Sequence, residues 1–262
     1  MEFLDRLPEP WRWDFSDAEV KPVSSGSGGA LVFRIVRASG AKQFLKIAVA
    51  EHVQHLRNEI ERTTWLASYH INVPAILQTA MDAGSAAVLM SALEGQPIEA
   101  CRRSPGELIK AIVTGLAHLH TLPVEACPFD ESLSVRLARA EADVSCGRID
   151  QREFRDRNLG LAPRQLLDRL LETAPGPEDL VVVHGDATFT NILIDSAGLI
   201  GFVDCGHCGR ADRYVDLAVI TSEIEDQFGQ EWLGDFFRAY GFGFHPWRSS
   251  KMRFFSDLYD LF

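Results

Sequence analysis

The sequence predicts an α+β fold, with strands gathered in its first third and helices filling most of the rest. Three observations predict it. Short apolar runs punctuated by glycine and proline occupy residues 24–91. Apolar residues at helical spacing dominate from residue 107 onward. The 262 residues are also more than one small core needs, and suit two parts of roughly 100–150 residues each.

Residues 24–36, SSGSGGALVFRIV, read as a small-residue turn running into a strand. Residues 42–49, KQFLKIAV, form a second strand, and the two suggest a hairpin with a glycine-rich tip. Helical periodicity follows at 51–68, where Val53, Leu56, Ile60 and Leu66 share a face, and Pro74 closes that segment. AAVLMS at 86–91 is a buried strand, and EGQP at 94–97 a turn at the boundary between the two parts. Helices are expected at 107–122, 132–144, 164–172, 212–224 and 230–241, with a last one in MRFFSDLYDLF. Between them, VVVHGD (181–186), NILID (191–195) and LIGFVD (199–204) are short strands that end in polar residues.

The charge balance narrows the partners. A net charge of −11 repels nucleic acid phosphates and anionic membrane surfaces, and suits a cationic ligand. No apolar run reaches the roughly 18 residues that span a bilayer. The opening MEFLDRLPEPWRWDF is acidic and aromatic, without the basic start and apolar stretch of a signal peptide, so a cytoplasmic location is expected. Five scattered cysteines, an odd number, argue against a disulfide framework.

The chemistry concentrates in His184-Gly185-Asp186, Asn191 and Asp204. Phosphoryl transfer from a nucleotide needs an acidic side chain facing the attacking hydroxyl, oxygen ligands for magnesium, and a cation on the phosphates. HGD-x4-N puts a carboxylate and an amide on one loop, and Asp204 ends the next apolar strand. Mg2+ favours such hard oxygen donors. The spacing resembles the catalytic loop and metal-binding aspartate of eukaryotic-type kinases. Lys46, inside the apolar strand FLKI, needs a carboxylate partner if it is buried. Glu59 on the following helix is preferred over Glu61 for that role. Ser27 and Gly28, in the small-residue turn before the lysine strand, offer backbone N–H groups to phosphates. Cys205-Gly206-His207-Cys208 has the CxxC spacing of redox and zinc sites, but it follows Asp204 directly and no second cysteine pair completes a zinc tetrahedron.

The stretch VVVHGDATFTNILIDSAGLIGFVDCGHCGRADRYVDLAVITSEI resembles the signature region of the aminoglycoside 3′-phosphotransferases, the kanamycin and neomycin kinases. VLMSALEG resembles that family's hinge, FLKI its lysine strand and DLYDLF its closing helix, so the similarity runs through essentially the whole chain. The resemblance implies a two-lobed protein-kinase-like fold, with a nucleotide-binding lobe at 1–91, a hinge at 92–97 and a catalytic and substrate-binding lobe at 98–262. It implies ATP or GTP as phosphoryl donor, Mg2+ on Asn191 and Asp204, and Asp186 facing the 3′-hydroxyl. Lys46 and Glu59 would grip the phosphates. Phe44 and Met90 would flank the adenine, and the backbone of Ser91 and Leu93 would bond its edge. Glu153, Asp156, Asp226, Asp260 and the terminal carboxylate of Phe262 would meet the cationic drug. Glu153 and Asp156 would share one helical face three residues apart.

The chain departs from the family at His207 and Ser222, where arginines are common, and at Tyr259, where an acidic residue is frequent. These departures bear on substrate range rather than on phosphate chemistry. The alternatives are a kinase of the same fold acting on another small molecule, a non-catalytic binding protein on that fold, and a CGHC redox protein.

Overall fold

The computed structural model describes residues 13–23, 29–242 and 249–262, and Ser27 and Gly28 lie outside them. The chain divides into two compact units. The first comprises residues up to Glu94 together with Phe202–Gly206, and the second comprises Gly95–Gly201 and His207–Phe262.

The first unit is an antiparallel sheet of β1 (Ala18–Val23), β2 (Leu31–Arg37), β3 (Lys42–Val49), β4 (Ile76–Met81) and β5 (Ser85–Ser91), in the spatial order β1-β2-β3-β5-β4. Helix α1 (Val53–Ser68) follows β3 after a short 3-10 turn. Side chains alternate across the sheet. Phe33, Ile35, Leu45, Ile47, Ala87 and Leu89 gather with Phe15 in one core cluster. Ala48, Ala86, Val88 and Met90 gather with Val53, Leu56 and Ile60 of α1 in the other, and Phe44 packs against them. Lys46 therefore has the parity of the helix-covered face.

Two details differ from the sequence expectation. The β2–β3 hairpin turns at Ala38–Gly40, where Gly40 has φ +85° and its N–H donates to the Arg37 carbonyl. The glycine-rich stretch instead lies between β1 and β2, because β1 is an additional strand ahead of it. AEVKPV carries a proline and little apolar character, which hides an edge strand from periodicity.

The second unit holds α2 (Pro105–His120), α3 (Leu133–Ser145), α4 (Pro163–Glu172), α5 (Tyr214–Phe228), α6 (Leu233–Tyr240) and α7 (Ser250–Tyr259). Its strands are β6 (Gln96–Pro97), β7 (Leu180–Val183), β8 (Ile192–Ile194), β9 (Ile200–Phe202, whose last residue belongs to the first unit) and β10 (Gly209–Asp212). β7 pairs with β10, and β6-β8-β9 form a three-stranded sheet. Ser104 and Glu107 close a capping box at the start of α2, with Pro105 as its first residue. The α2 stripe of Leu108, Ile109, Ile112, Val113, Leu116 and Leu119 is buried. Gly115 lets α2 lie close under β9, since a Cβ there would stand 2.7 Å from the Ile200 side chain. This contact seats the β8–β9 hairpin, which Asn191 precedes and Asp204 follows.

Residues 151–158 are not one helix. Gln151–Glu153 and Asp156–Asn158 are separate 3-10 turns, with Phe154 and Arg155 extended between them. Phe154 is buried, and driving it inward breaks the helical run. Glu153 and Asp156 thus do not share a helical face. Among the described residues no helix is long and apolar enough to cross a membrane.

Candidate active site

In the first unit, alternation along β3 turns Lys46 toward α1, where Glu59 occupies the same face as Leu56 and Ile60. Lys46 Nζ donates to Glu59 Oε1 at 2.6 Å and also to Asp204 Oδ1. The Lys46 and Glu59 side chains are only 13% and 6% exposed, so each needs the other. Burial pulls the Lys46 ammonium down, but the charges of Glu59 and Asp204 outweigh it and hold the group well above its ordinary range. Burial pushes Glu59 up against the opposing pull of Lys46. The result is a fixed cation flanked by two carboxylates.

Asp204 is a non-glycine residue with φ +56°, a conformation that costs free energy and persists where its surroundings enforce it. Part of that enforcement is the bond from the Phe202 N–H to the Asn72 carbonyl at 2.9 Å. The Asp204 side chain is 47% exposed. Cys205 follows, fully buried. Burial, then the charges of Glu59 and Asp204, push its thiol far above the ordinary range, so it has no thiolate character near neutral pH. Cys205 and Cys208 are not joined in a disulfide. A redox role for CGHC finds no support in that environment.

In the second unit, β7 delivers the chain into His184-Gly185-Asp186. Asp216 of α5 anchors this loop from beneath: its Oδ2 accepts the His184 N–H at 2.7 Å and its Oδ1 the Gly185 N–H at 2.8 Å. His120 of α2 lies 3.1 Å from the same carboxylate. Burial alone would raise the Asp216 carboxyl, but the bond and charge of His120 and the Gly185 N–H carry it below its ordinary range. Gly185 has φ +86°, and a Cβ there would collide with the His207 carbonyl oxygen, so only glycine fits. Arg136 Nη2 donates to the Gly185 carbonyl at 3.2 Å.

The loop presents Asp186 with both oxygens engaged. Asn191 Nδ2 donates to Oδ2 at 2.8 Å, and the Tyr259 hydroxyl donates to Oδ1 at 2.6 Å. Asn191 Nδ2 also donates to the Asp186 carbonyl at 3.0 Å. Both of its contacts are acceptors, so the amide must turn its NH2 toward Asp186 and its oxygen away. That oxygen is the type of donor Mg2+ takes, and Asp204 supplies a carboxylate of the same class. This donor chemistry fits magnesium. Among the described residues no group of three or more His, Cys, Asp or Glu side chains could hold a metal, which leaves zinc at CGHC without a ligand set.

The structure sorts the remaining expected residues. Phe44 and Met90 are cross-strand neighbours in register. The Ser91 N–H donates to the Ala75 carbonyl at 2.9 Å. Glu153, Asp156 and Asp226 are exposed carboxylates. Asp260 is not free. Its side chain is 3% exposed and accepts from Asn158 Nδ2 at 2.6 Å and from the Arg155 N–H at 3.3 Å, so it latches the 151–158 segment to α7. The Phe262 ring covers Arg136, whose guanidinium lies 5.1 Å from its centre.

The sequence family model named Phosphotransferase enzyme family matches residues 19–249. The chain belongs to this family. An aminoglycoside 3′-phosphotransferase of Niallia circulans is 32% identical over 242 residues, covering 90% of each chain. One of Streptomyces ribosidificus is 33% identical over 253 residues, covering 92% of this chain and 94% of the relative. Among solved structures, an aminoglycoside-3′-phosphotransferase of type VIII superposes with a TM-score of 0.86 at 32% identity, over 96% of this chain and 95% of that one. APH(3″)-Id of Streptomyces rimosus superposes at 0.81 with 30% identity, over 94% and 93%. The fold is the kinase-like α+β fold of these phosphotransferases, and the chain is a nucleotide-dependent phosphotransferase.

Three residues of this site escape sequence reasoning. Asp216 stands inside the signature motif, and its one local signal is a carboxylate within the apolar start of α5. Tyr259 is visible in sequence only as a departure. Glu223, whose Oε2 accepts the Phe189 N–H at 2.9 Å, borders the catalytic loop, and burial with the charges of Asp226 and Glu99 raises its carboxyl. No local spacing reports such a contact.

Proposed function

We propose that this phosphotransferase moves the γ-phosphoryl group of ATP or GTP to the 3′-hydroxyl of an aminoglycoside, and so confers resistance. The observation that carries the reading is the Asp186 carboxylate, oriented by Asn191 and Tyr259 on a glycine loop anchored to Asp216. The acceptor class is supported by relatives named aminoglycoside 3′-phosphotransferase that align over nine-tenths of the chain.

In this mechanism the first unit serves as the nucleotide-binding lobe and the second as the catalytic and substrate-binding lobe. Lys46, held by Glu59, places positive charge on the donor phosphates. Phe44 and Met90 flank the base. Asn191 Oδ1 and Asp204 are the residues that would hold Mg2+, which would supply neutralisation of charge on the donor phosphates. Asp186 accepts the proton of the acceptor hydroxyl as the new O–P bond forms and the bond from the γ-phosphorus to the β-bridging oxygen breaks, releasing the nucleoside diphosphate. Glu153, Asp156 and Asp226 attract the ammonium groups of a rigid polycation by charge-assisted hydrogen bonds. Positioning and electrostatics suffice, and no covalent enzyme intermediate is needed. The reaction belongs in the cytoplasm, where nucleoside triphosphate is supplied.

A second reading keeps the chemistry and changes the acceptor. A streptomycin 3″-kinase of Streptomyces griseus is 29% identical over 80% of this chain, so the acceptor position is the open variable. Nucleotide consumption by the purified protein, with Mg2+ and either ATP or GTP, separates the readings. The panel is kanamycin, neomycin, tobramycin, streptomycin, hygromycin and a simple amino sugar. Turnover of kanamycin but not of 3′-deoxy tobramycin supports the 3′ position. Turnover of streptomycin alone would replace it.

A further inference from the structure

Tyr259 stands at the end of α7 with its hydroxyl 2.6 Å from Asp186 Oδ1. Its ring lies under the Arg155 guanidinium, 5.0 Å from the ring centre. Arg155 belongs to the 151–158 segment and also donates to the Ser256 hydroxyl and carbonyl one turn earlier on α7. Its own N–H donates to Asp260. The phenol ring is therefore held in place by a cation over its face and by the bonds that fix that cation to α7.

We propose that Tyr259 is a positioning residue for Asp186, fixing the carboxylate in the rotamer that faces the acceptor hydroxyl and tying it to the 151–158 segment through Arg155. The proposal rests on the reading of Asp186 as the proton acceptor.

The argument is one of counting lone pairs. A carboxylate has two oxygens with two acceptor sites each. Asn191 occupies one site on Oδ2 and Tyr259 one on Oδ1. Two donors on different oxygens fix both side-chain torsions and still leave a site on each oxygen for the substrate. Asn191 alone would leave the carboxylate free to swing about that single bond. The phenol is a permanent donor, because burial first and then the charge of Asp186 push its ionisation far above the ordinary range. A carboxylate at position 259 could not do this, since it would repel Asp186 instead of donating to it. Tyr259 touches the reacting group but not the reacting phosphorus, so its effect should appear in turnover and not in binding.

The test compares wild type, Tyr259→Phe and Asp186→Ala on kanamycin and ATP, with thermal midpoints recorded. Tyr259→Phe removes one oxygen atom and keeps the ring. Its kcat should fall roughly tenfold, the scale of one charge-assisted hydrogen bond expressed in a rate. KM for kanamycin and for ATP should stay within about twofold, as expected for an interaction that acts on the chemical step alone. A crystal structure of Tyr259→Phe should show Asp186 Oδ1 turned from its present direction. Unchanged kcat in a folded Tyr259→Phe protein, or a raised kanamycin KM with kcat intact, overturns the positioning role. An Asp186→Ala protein that retains near-native turnover overturns the base assignment instead, so the two failures are distinguishable.

Discussion

The buried carboxylate of Asp216 holds the backbone of Gly185, accepting its N–H on Oδ1 at 2.8 Å. The catalytic loop thus rests on a charge with no access to water. Asp216→Asn would keep the shape but turn one oxygen into an NH2 that faces a backbone N–H. Removing a charge from such a network costs about 3–5 kcal/mol. Urea denaturation should show a loss of that size at neutral pH.

The same residue gives the stability a pH dependence. The Asp216 carboxyl lies below its ordinary range in the folded protein, so its charged form favours folding. That contribution is complete above the unfolded carboxyl range and is lost as pH falls through the depressed folded value. The stability gap between wild type and Asp216→Asn should therefore shrink below about pH 4, where the unfolded aspartate begins to take up its proton. A gap that stays constant or widens in acid would mean that Asp216 is not the group responsible.

Gly185→Ala tests the turn itself. The substitution forces a methyl group against the His207 carbonyl at φ +86°, a region that L side chains rarely adopt. The loop must move, and Asp186 with it. Phosphoryl transfer should fall by roughly two orders of magnitude or more, the scale of misplacing a reacting group by about an ångström. Nucleotide affinity, measured by calorimetry, should change far less, because Lys46 and Glu59 are not in that turn.

Lys46→Met removes the cation between Glu59 and Asp204. Neutralising it leaves Glu59 buried beside an apolar side chain, so that carboxyl should rise further. Turnover at saturating ATP should fall roughly a hundredfold, the scale of losing one preorganised electrostatic contact to the transition state. Steady-state kinetics over a range of ATP concentrations would separate this from a simple loss of affinity.

Asp257 of α7 collects Arg157, Arg169 at 3.1 Å and Asn158 at 3.2 Å, and its side chain is 9% exposed. Asp257→Ala should release the 151–158 segment from α7. A loss of about 2 kcal/mol, or roughly 4–8 °C in thermal midpoint, is expected for leaving three donors without their acceptor. Limited proteolysis should gain a cut within 151–158. If the segment resists protease as wild type does, the latch lies elsewhere.

Much of this site could be read from the chain because its chemistry is local in sequence. Lys46 and Glu59 are thirteen residues apart, and strand parity with helical periodicity is enough to aim one at the other. Asp186 and Asn191 sit on a single loop. What stayed hidden depends on residues far apart in the chain: Asp216 under Gly185, Tyr259 on Asp186, and Asp260 locked by Asn158. Asp260 shows the cost of judging a carboxylate by type, since its charge is already neutralised from within. The run 151–158 misleads for another reason. Its charged residues have helical spacing, but Phe154 is claimed by the core, and no periodicity reports which apolar residue the core will take.

The membership of Phe202–Gly206 in the first unit carries a practical consequence. A fragment ending at Glu94 would contain the whole five-stranded sheet and α1 but not Asp204, and Lys46 would keep one of its two carboxylates. Nor can the rest of the chain be made cleanly, since it would display those five residues with nothing to receive them. Splitting the gene at the obvious boundary should therefore yield two defective halves, whereas a permuted gene that moves residues 202–206 next to the sheet would be the rational way to isolate the first unit.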